Sequence, residues 1–464
     1  MNVSCRIKDL EILHTIGQIA DDNQLEAYVI GGFVRDLLLG RHNHDIDIMC
    51  VGSGIFLADK VAKAIKSTNV AVYANFGTAM IKYRNIQLEF VGARKESYDR
   101  SSRKPIVENG TFEDDQLRRD FTINTLAISI NKNTFGELKT ITSGLEDLKN
   151  KIIRTPVDGD KTFSDDPLRM LRAVRFATQL AFTIEQGTFE AIKRQRERIR
   201  IISYERIRDE INKILLSPKP SIGFILLSEC GLLGLIMPFI ENLRGKLQIG
   251  RFSHKDIFDH TLQVLDNVAN NAGSLLLRWT ALLHDVAKPQ TKRFDNIHGF
   301  SFHGHEELGA RMVRDIFTTF KLSKVSSQYV AKLVRLHLRP IAIAQDDVSD
   351  SGVRRLVADA GEGFKDLMTL CRADITSHNH VKIAKYLDNF DKVEAKVKDI
   401  LAKDYIRTLQ PVLTGEMIMK ELNLPPGPTV GMIKKQLKEA ILNGSVNNTL
   451  QELHDYMIAI IKKS

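Results

Sequence analysis

Between residues 28 and 51 the chain changes its local demands so quickly that few folds can satisfy them. Tyr28-Val29-Ile30 is a short apolar run that ends in Gly31-Gly32. Paired glycines stop a strand and free the backbone to turn. Phe33 to Gly40 then carries a helical pattern, with Gly40 as its stop. Asp45-Ile46-Asp47-Ile48 follows, its carboxylates alternating with apolar residues. On a strand, residues i and i+2 share a face roughly 6–7 Å apart. Two carboxylates that close repel each other, and a divalent cation is the usual resolution. The loop amides after the glycines can cradle phosphates at the start of a helix. A metal-assisted reaction on a phosphorylated substrate is the chemistry this order suits.

The block GGFVRDLLLGRHNHDIDI resembles the signature of template-independent nucleotidyltransferases of the polymerase-β superfamily. Within it, the closer likeness is to the class II CCA-adding tRNA nucleotidyltransferases and the bacterial poly(A) polymerases. The resemblance implies that Asp45 and Asp47 hold two Mg²⁺ ions. It implies that Gly32 and Arg35 hold a triphosphate, together with Arg119 and the Arg172/Arg175 face. Asp120 and Asn124, in Leu117-Arg-Arg-Asp-Phe-Thr-Ile-Asn124, would meet the ribose and its 2′-OH. Five motifs match in order from about Val29 to Ala177, and a weaker match continues through Ser203-Tyr-Glu-Arg-Ile-Arg-Asp-Glu-Ile.

Around these motifs the periodicity predicts a helix over ~7–26 and another over 55–66, with strands at 70–73, 78–83 and 86–91. Glu89 is read as an ordinary solvent-facing strand position. Arg94 to Asp115 is polar with few apolar anchors and is expected to be a mobile loop. In the resembled family a loop here helps switch addition from C to A. Asp120 is expected to cap a helix opened by Leu117-Arg118-Arg119, and Gly144-Leu-Glu-Asp147-Leu148 resembles the family's short G-x-x-D-L element that closes the catalytic domain.

From about residue 160 the chain shows helical periods and almost no strand signal. In Asp165-Asp166-Pro167-Leu168-Arg169, Pro167 at the first helical position and Asp166 as its cap make a sound start. Arg169, Arg172 and Arg175 then fall along one face, while Leu168, Leu171, Val174 and Ala177 can bury the other. Cytosine and adenine each present an amino donor beside a ring-nitrogen acceptor; uracil and guanine present the reverse. A carboxylate at Asp166 and a guanidinium at Arg169 would accept the first pair and reject the second. In the resembled family this element reads E-D-x-x-R and its Asp and Arg read the base; here the leading Glu is Asp165.

His284-Asp285 lies in Ala281-Leu-Leu-His-Asp-Val-Ala-Lys-Pro289, read as an apolar helix that stops at proline. His260 precedes it, and His303, His305, His337 and Asp374 follow. Adjacent His and Asp on one helix, with more on others, is how helical bundles assemble divalent-metal sites. The order resembles an HD domain, a family of metal-dependent phosphohydrolases. The resemblance places His260, His284, Asp285 and Asp374 on one divalent transition metal and offers His305 and His337 to a second.

The fold expected is therefore α+β: a polymerase-β-like mixed sheet with helices, then an all-α neck, body, HD domain and tail. The boundaries fall at 1–155 for the catalytic head, 156–245 for the neck and body, 246–400 for the HD domain and 401–464 for the tail. Length agrees, since 464 residues suit about three domains. Sixty-six basic residues against 57 acidic leave a net charge of +9, which suits a polyanionic partner such as nucleic acid. Cys5, Cys50, Cys230 and Cys371 are far apart and form no C-x-x-C pair, as expected of free thiols in a reducing compartment. The N-terminus lacks the apolar core of a secretory signal, and the apolar 222–240 stretch is broken by Glu229 and Pro238, so two short buried helices suit it better than a membrane span. The expectation is a cytoplasmic CCA-adding tRNA nucleotidyltransferase that takes CTP, ATP and the tRNA 3′ end, with no membrane or protein partner inferred and an accessory phosphohydrolase activity. The alternatives are a poly(A) polymerase, an enzyme adding only CC or only A, or an HD phosphohydrolase whose head merely binds nucleotide or RNA.

Overall fold

The computed structural model describes residues 2–7, 10–74, 77–97, 106–271, 273–345, 350–376, 379–408 and 410–461. Its N-terminal strands are β1 (Ala27–Ile30), β2 (Asp45–Cys50), β3 (Val70–Tyr73), β4 (Thr78–Tyr83), β5 (Ile86–Gly92), β6 (Arg94–Ser97), β7 (Ile106–Asn109), β8 (Ala127–Ser129) and β9 (Leu138–Lys139). Seven of them form one mixed sheet in the order β3-β4-β5-β2-β1-β8-β9. Only β2 and β5 run parallel; the other neighbours are antiparallel. All four residues of β1 are buried, as a central strand requires. β2 buries Ile46, Ile48, Met49 and Cys50 and turns Asp45 and Asp47 the other way.

Gly31 joins β1 to the Gly32–Leu38 helix with φ +71, a conformation that glycine enters without strain. The Glu11–Asp22 helix stands within the span expected of it and Gly54–Ala64 begins one residue before its own, capped by Ser53 accepting the Phe56 N–H.

Two expectations for this region are corrected. Arg94 to Asp115 is not one loop: β6 pairs antiparallel with β7 as a hairpin, and Phe112–Leu117 is a helix with a reciprocal Thr111/Asp114 cap. Residues 98–105, with Arg100, Arg103 and Lys104, lie outside the described residues. Arg94-Lys95-Glu96 in one strand and Glu108-Asn109 in the other interrupt any apolar alternation, so a hydrophobicity reading passes over the hairpin. Leu117 also ends a helix rather than opening one. Asp120 sits between that helix and a 3₁₀ turn at Thr122–Asn124 whose cap position is Phe121.

Past residue 150 the fold is mainly helical, but short strands persist where none was expected: β10 (Ile152–Ile153) with β11 (Thr183–Ile184), β12 (Leu247–Ile249) with β13 (Phe252–His254), and β14 (Arg293–Asp295) with β15 (Gly299–Ser301). Strands of two or three residues are too short to print a period. The apolar 222–240 stretch folds as three short helices, Ser221–Glu229, Leu233–Ile236 and Pro238–Glu241. Among the described residues no helix is long and apolar enough to cross a membrane.

By its contacts the chain divides into two compact units. The first holds residues 1–337 and 373–376, including the sheet and both clusters of chemical groups described below. The second holds 338–372 and 377–464. In it, Val353, Val397 and Ile400 form one small core, and the last three helices pack around Ile418, Leu437, Leu453 and Met457.

Candidate functional site

The parallel pairing of β2 with β5 sets Asp45 opposite Gln87 and Asp47 opposite Glu89. Glu89 is thus a third carboxylate on the acidic face, not the ordinary surface position expected of it. All three line one cleft of about 640 Å³ with Gly31, Gly32 and Arg35. The Asp47 carboxyl is pushed up to about 6, first by burial and then by Glu89, with Asp45 adding and Arg119 opposing. Hard oxygen donors that resist sharing negative charge fit a cation such as Mg²⁺. Gly31 keeps this face open: a Cβ there would stand 3.2 Å from Asp47 Oδ2 and 3.3 Å from Arg119 Nη1. Gly31→Ala should therefore cost about 1–2 kcal/mol of stability from its left-handed backbone alone, and disturb both groups. Thermal unfolding with nucleotide-addition kinetics checks this; a variant with normal stability and turnover would show that the turn tolerates a side chain.

The basic wall comes from three directions. Arg35 is buried and fully engaged: it donates to Asp36 at 2.8 Å and to Asn124 Oδ1 at 2.9 Å. Arg119 pairs with Asp115 and donates to the Asn124 carbonyl at 3.2 Å. Asp120 accepts from Arg172 Nε at 2.8 Å, from Asn124 Nδ2 at 2.9 Å and from the Phe121 N–H at 2.8 Å. Burial works against the Asp120 charge, yet Arg172 and Asn124 outweigh it and hold its carboxyl well below the usual range. Arg175 pairs with Glu210, itself buried, at 2.5 Å. Arg35, Arg172 and Arg175 all stand over the ring of Phe176, at 4.9, 5.5 and 3.9 Å. Phe176 and Lys213 line the cleft as well. Phe176, Lys213 and Glu210 were not among the sequence candidates, because their roles come from contacts between distant helices.

Asp166 and Arg169 are placed differently. The Leu168–Leu180 helix has Pro167 at its cap position, and the Asp166 carboxylate accepts the Leu168 N–H at 3.1 Å. Its other oxygen faces Arg206 at 3.3 Å. Arg169 donates to the Arg118 carbonyl at 2.7 Å. Both lie outside the lining of the carboxylate cleft, whereas Arg172 and Arg175 are part of it.

The second cluster is built at helix ends. The apolar helix runs only from Leu275 to Leu283, with His284 as its C-cap, and Pro289 sits in the first turn of a new helix, Lys288–Thr291. Proline therefore starts a helix here rather than stopping one. His337 likewise caps the Lys324–Leu336 helix, and His305 begins the His305–Thr319 helix. The Nδ1 of each meets the carbonyl three residues earlier: His284 to Ala281 at 2.8 Å, His305 to Phe302 at 2.7 Å and His337 to Val334 at 2.6 Å. A carbonyl can only accept, so Nδ1 carries the hydrogen and Nε2 faces inward.

Asp285 sits at the centre, 3.5 Å from His260 Nε2, 3.3 Å from His284 Nε2 and 3.4 Å from His305 Nε2. Asp374 Oδ1 is 2.9 Å from His260 Nε2. The buried groups form two potential metal-binding triads, His260-His284-Asp285 and Asp285-His305-His337, which share Asp285. The inward Nε2 of His284 is fully buried without a hydrogen bond, as a nitrogen awaiting a cation would be. Burial disfavours its charge, but Asp285 and Asp374 raise its pKa to about 10, so a cation competes there with a proton. Burial, then His284, pushes His337 down to about 4. Imidazole-rich donors suit a transition metal. His303 is exposed and belongs to neither triad. Lys288, 2.6 Å from Asp285 Oδ2, and Lys255, 2.8 Å from His260 Nδ1, complete the cluster and were not among the candidates.

Three family models match the chain in succession. A poly A polymerase head domain covers residues 27–154, a probable RNA and SrmB-binding site of polymerase A covers 181–243, and an HD domain covers 257–393. The A-adding tRNA nucleotidyltransferase of Deinococcus radiodurans is 31% identical over 444 residues, covering 93% of this chain and 94% of that one. The CC-adding tRNA nucleotidyltransferase of Thermus thermophilus is 31% identical over 441 residues, covering 93% of each. The solved Thermotoga maritima CCA-adding enzyme complexed with tRNA shares the fold, with a TM-score of 0.61 at 21% identity over 99% of both chains. With its acidic sheet face, its basic wall and a likeness that runs nearly end to end, the chain belongs to the tRNA nucleotidyltransferase family.

Proposed function

We propose that this enzyme adds C and A from CTP and ATP to the 3′ end of tRNA without a nucleic-acid template, releasing pyrophosphate. The observation that carries the reading is the acidic face of β2 and β5 opposite a wall of arginines in one cleft. Asp45, Asp47 and Glu89 would hold two Mg²⁺ ions, which when bound activate the primer 3′-hydroxyl and neutralise the leaving pyrophosphate. Gly32, Arg35 and Arg119 would hold the triphosphate with Arg172 and Arg175, and Asp120 with Asn124 would orient the ribose. The division we favour keeps a catalytic head at 1–155, a neck and body at 156–245, an HD domain at 246–400 and a tail at 401–464. The net charge of +9 suits grip on tRNA phosphates outside the cleft. Four free cysteines suit the reducing cytoplasm.

Two relatives at equal identity, one A-adding and one CC-adding, favour a second reading in which only part of CCA is added. Purified enzyme with labelled CTP or ATP, on tRNA ending at the discriminator base, at C or at CC, separates these. Incorporation of neither nucleotide on any primer would sink both.

Base choice is assigned to Asp166 and Arg169. To reach the base, Arg169 must leave the Arg118 carbonyl and Asp166 must loosen from Arg206. Arg169→Ala and Asp166→Ala should each lower discrimination of C and A over U and G by about 1–3 kcal/mol. Asp166→Ala should also cost roughly 1 kcal/mol of helix-start stability. Arg175→Ala should weaken all four nucleotides alike. The measurement is kcat/KM for each NTP, and unchanged ratios in both variants would mean that the base is read elsewhere.

For the HD cluster we propose a divalent transition metal on His260, His284, Asp285 and Asp374, with a second on His305 and His337 sharing Asp285. Lys255 and Lys288 would attract a phosphate there, giving an accessory phosphohydrolase.

A further inference from the structure

We propose that the hairpins β12–β13 and β14–β15 form a binding surface for single-stranded RNA leading to the His-Asp cluster. The inference goes beyond nucleotide addition and rests on where the cluster lies, not on its activity. The hairpins are locked together: Gly299, at φ +80, brings its backbone so close to Phe252 that a Cβ would meet the ring at 2.8 Å. Phe252 packs edge-on against Phe294 at 5.9 Å, and Phe294 against Phe300 at 5.1 Å. None of these three rings is fully buried.

Their inner ends abut the cluster. The His254 ring packs on Phe302 at 4.8 Å, the Phe302 carbonyl holds His305 Nδ1, and Lys255 reaches His260. At their outer ends Ile249 (47%) and Ile297 (74%) expose apolar surface.

Charge points to the occupant. Residues 244–256 and 288–303 carry seven Lys and Arg against two Asp. Both acids are engaged by backbone N–H groups: Asp256, which caps the Ile257–Asn270 helix, accepts those of Gly245 and Phe258, and Asp295 accepts those of Ile297 and His298. Lys246, Arg251, Lys292 and Arg293 are exposed. Half-open aromatic rings among cations bind unstacked bases joined by phosphates, whereas paired bases cannot reach such rings.

The test uses the full chain and a uridine-rich RNA of roughly ten nucleotides carrying 4-thiouridine, a length suited to one such site. Photo-crosslinks should map to residues within 246–254 or 292–302. Arg251→Ala with Arg293→Ala should weaken binding, read by fluorescence anisotropy, at least tenfold. The slope of log affinity against log salt should flatten by about 1.4, as expected for two lost phosphate contacts on a single strand. Lys63→Ala with Lys149→Ala, the same charge removed from exposed sites in the head, should change affinity less than twofold. Phe294→Leu, which keeps an apolar side chain, should weaken binding several-fold without changing the slope. Crosslinks confined to other segments would overturn the proposal. So would equal effects of the two charge pairs, or equal affinity for duplex RNA or polyglutamate.

Discussion

Asp47→Asn should lower nucleotide addition at least a thousandfold and, in the same protein, raise its melting temperature in metal-free buffer at pH 8. The two effects share a cause. Asp47, raised first by burial and then by the Glu89 and Asp45 charges, has a folded-state pKa of about 6, against about 3.9 for a free aspartate. The folded state therefore binds the proton more tightly than the unfolded chain. The associated stabilisation is fully present below about pH 4 and is lost as pH rises through about 6. Above that, the ionised carboxylate costs folding on the order of 1–2 kcal/mol after allowance for solvent screening. Asparagine removes this cost together with the ligand. The gain in melting temperature should thus be a few degrees at pH 8 and vanish toward pH 4. Asp45→Ala, at an exposed position, should lose activity with little change in stability. A variant at either position keeping a tenth of wild-type turnover, a loss of only ~1.4 kcal/mol, would refute the metal assignment. A melting difference independent of pH would refute the electrostatic account.

His284→Ala combined with Asp285→Ala should strip bound transition metal from the purified protein while nucleotide addition stays within a few-fold. Asp285 belongs to both triads, so its loss disables both halves at once. Asp374, in contrast, pairs with His260 and His284, and Asp374→Ala should leave the His305-His337 half able to bind. Stability should fall too. Asp285 is fully buried and its carboxyl is held well below the usual range: burial opposes its charge, but His284 and Lys288 prevail. Asp285→Ala alone takes the paired carboxylate from Lys288 and the nearer of two from His284, a loss of about 3–5 kcal/mol for a broken buried pair. Metal analysis of wild type and double variant decides the point: equal metal content would dispose of the cluster as a metal site.

What could be read from the sequence was what repeats within a few residues. Asp45 and Asp47 declared themselves because a shared strand face needs only a spacing of two, and β3 and β4 because each is a short run of mostly apolar and β-branched residues. Glu89 was misjudged because its partner is 42 residues away across a parallel pairing that no local pattern reveals. Arg172 and Arg175 were placed on the right helix face. That Asp120 and Glu210 hold them, and that Phe176 underlies them, came from contacts between elements. The same limit hid Lys255 and Lys288 and turned His284 from a helix residue into a cap. The order of the histidines and aspartates was legible; their convergence on Asp285 was not.

The three histidines anchored to Ala281, Phe302 and Val334 have a bearing on how this centre could change over time. Elsewhere a ligating imidazole is commonly steered by an outer carboxylate, so that drift at the outer position retunes or ruins the centre. Here the steering groups are main-chain carbonyls, which every amino acid supplies. The side chains at 281, 302 and 334 can be exchanged, within the limits of packing, without releasing a ring. The centre is thus insulated from substitution in its own surroundings. Its weak point is instead the geometry of the helix ends, where an inserted or deleted residue would swing a histidine away from Asp285.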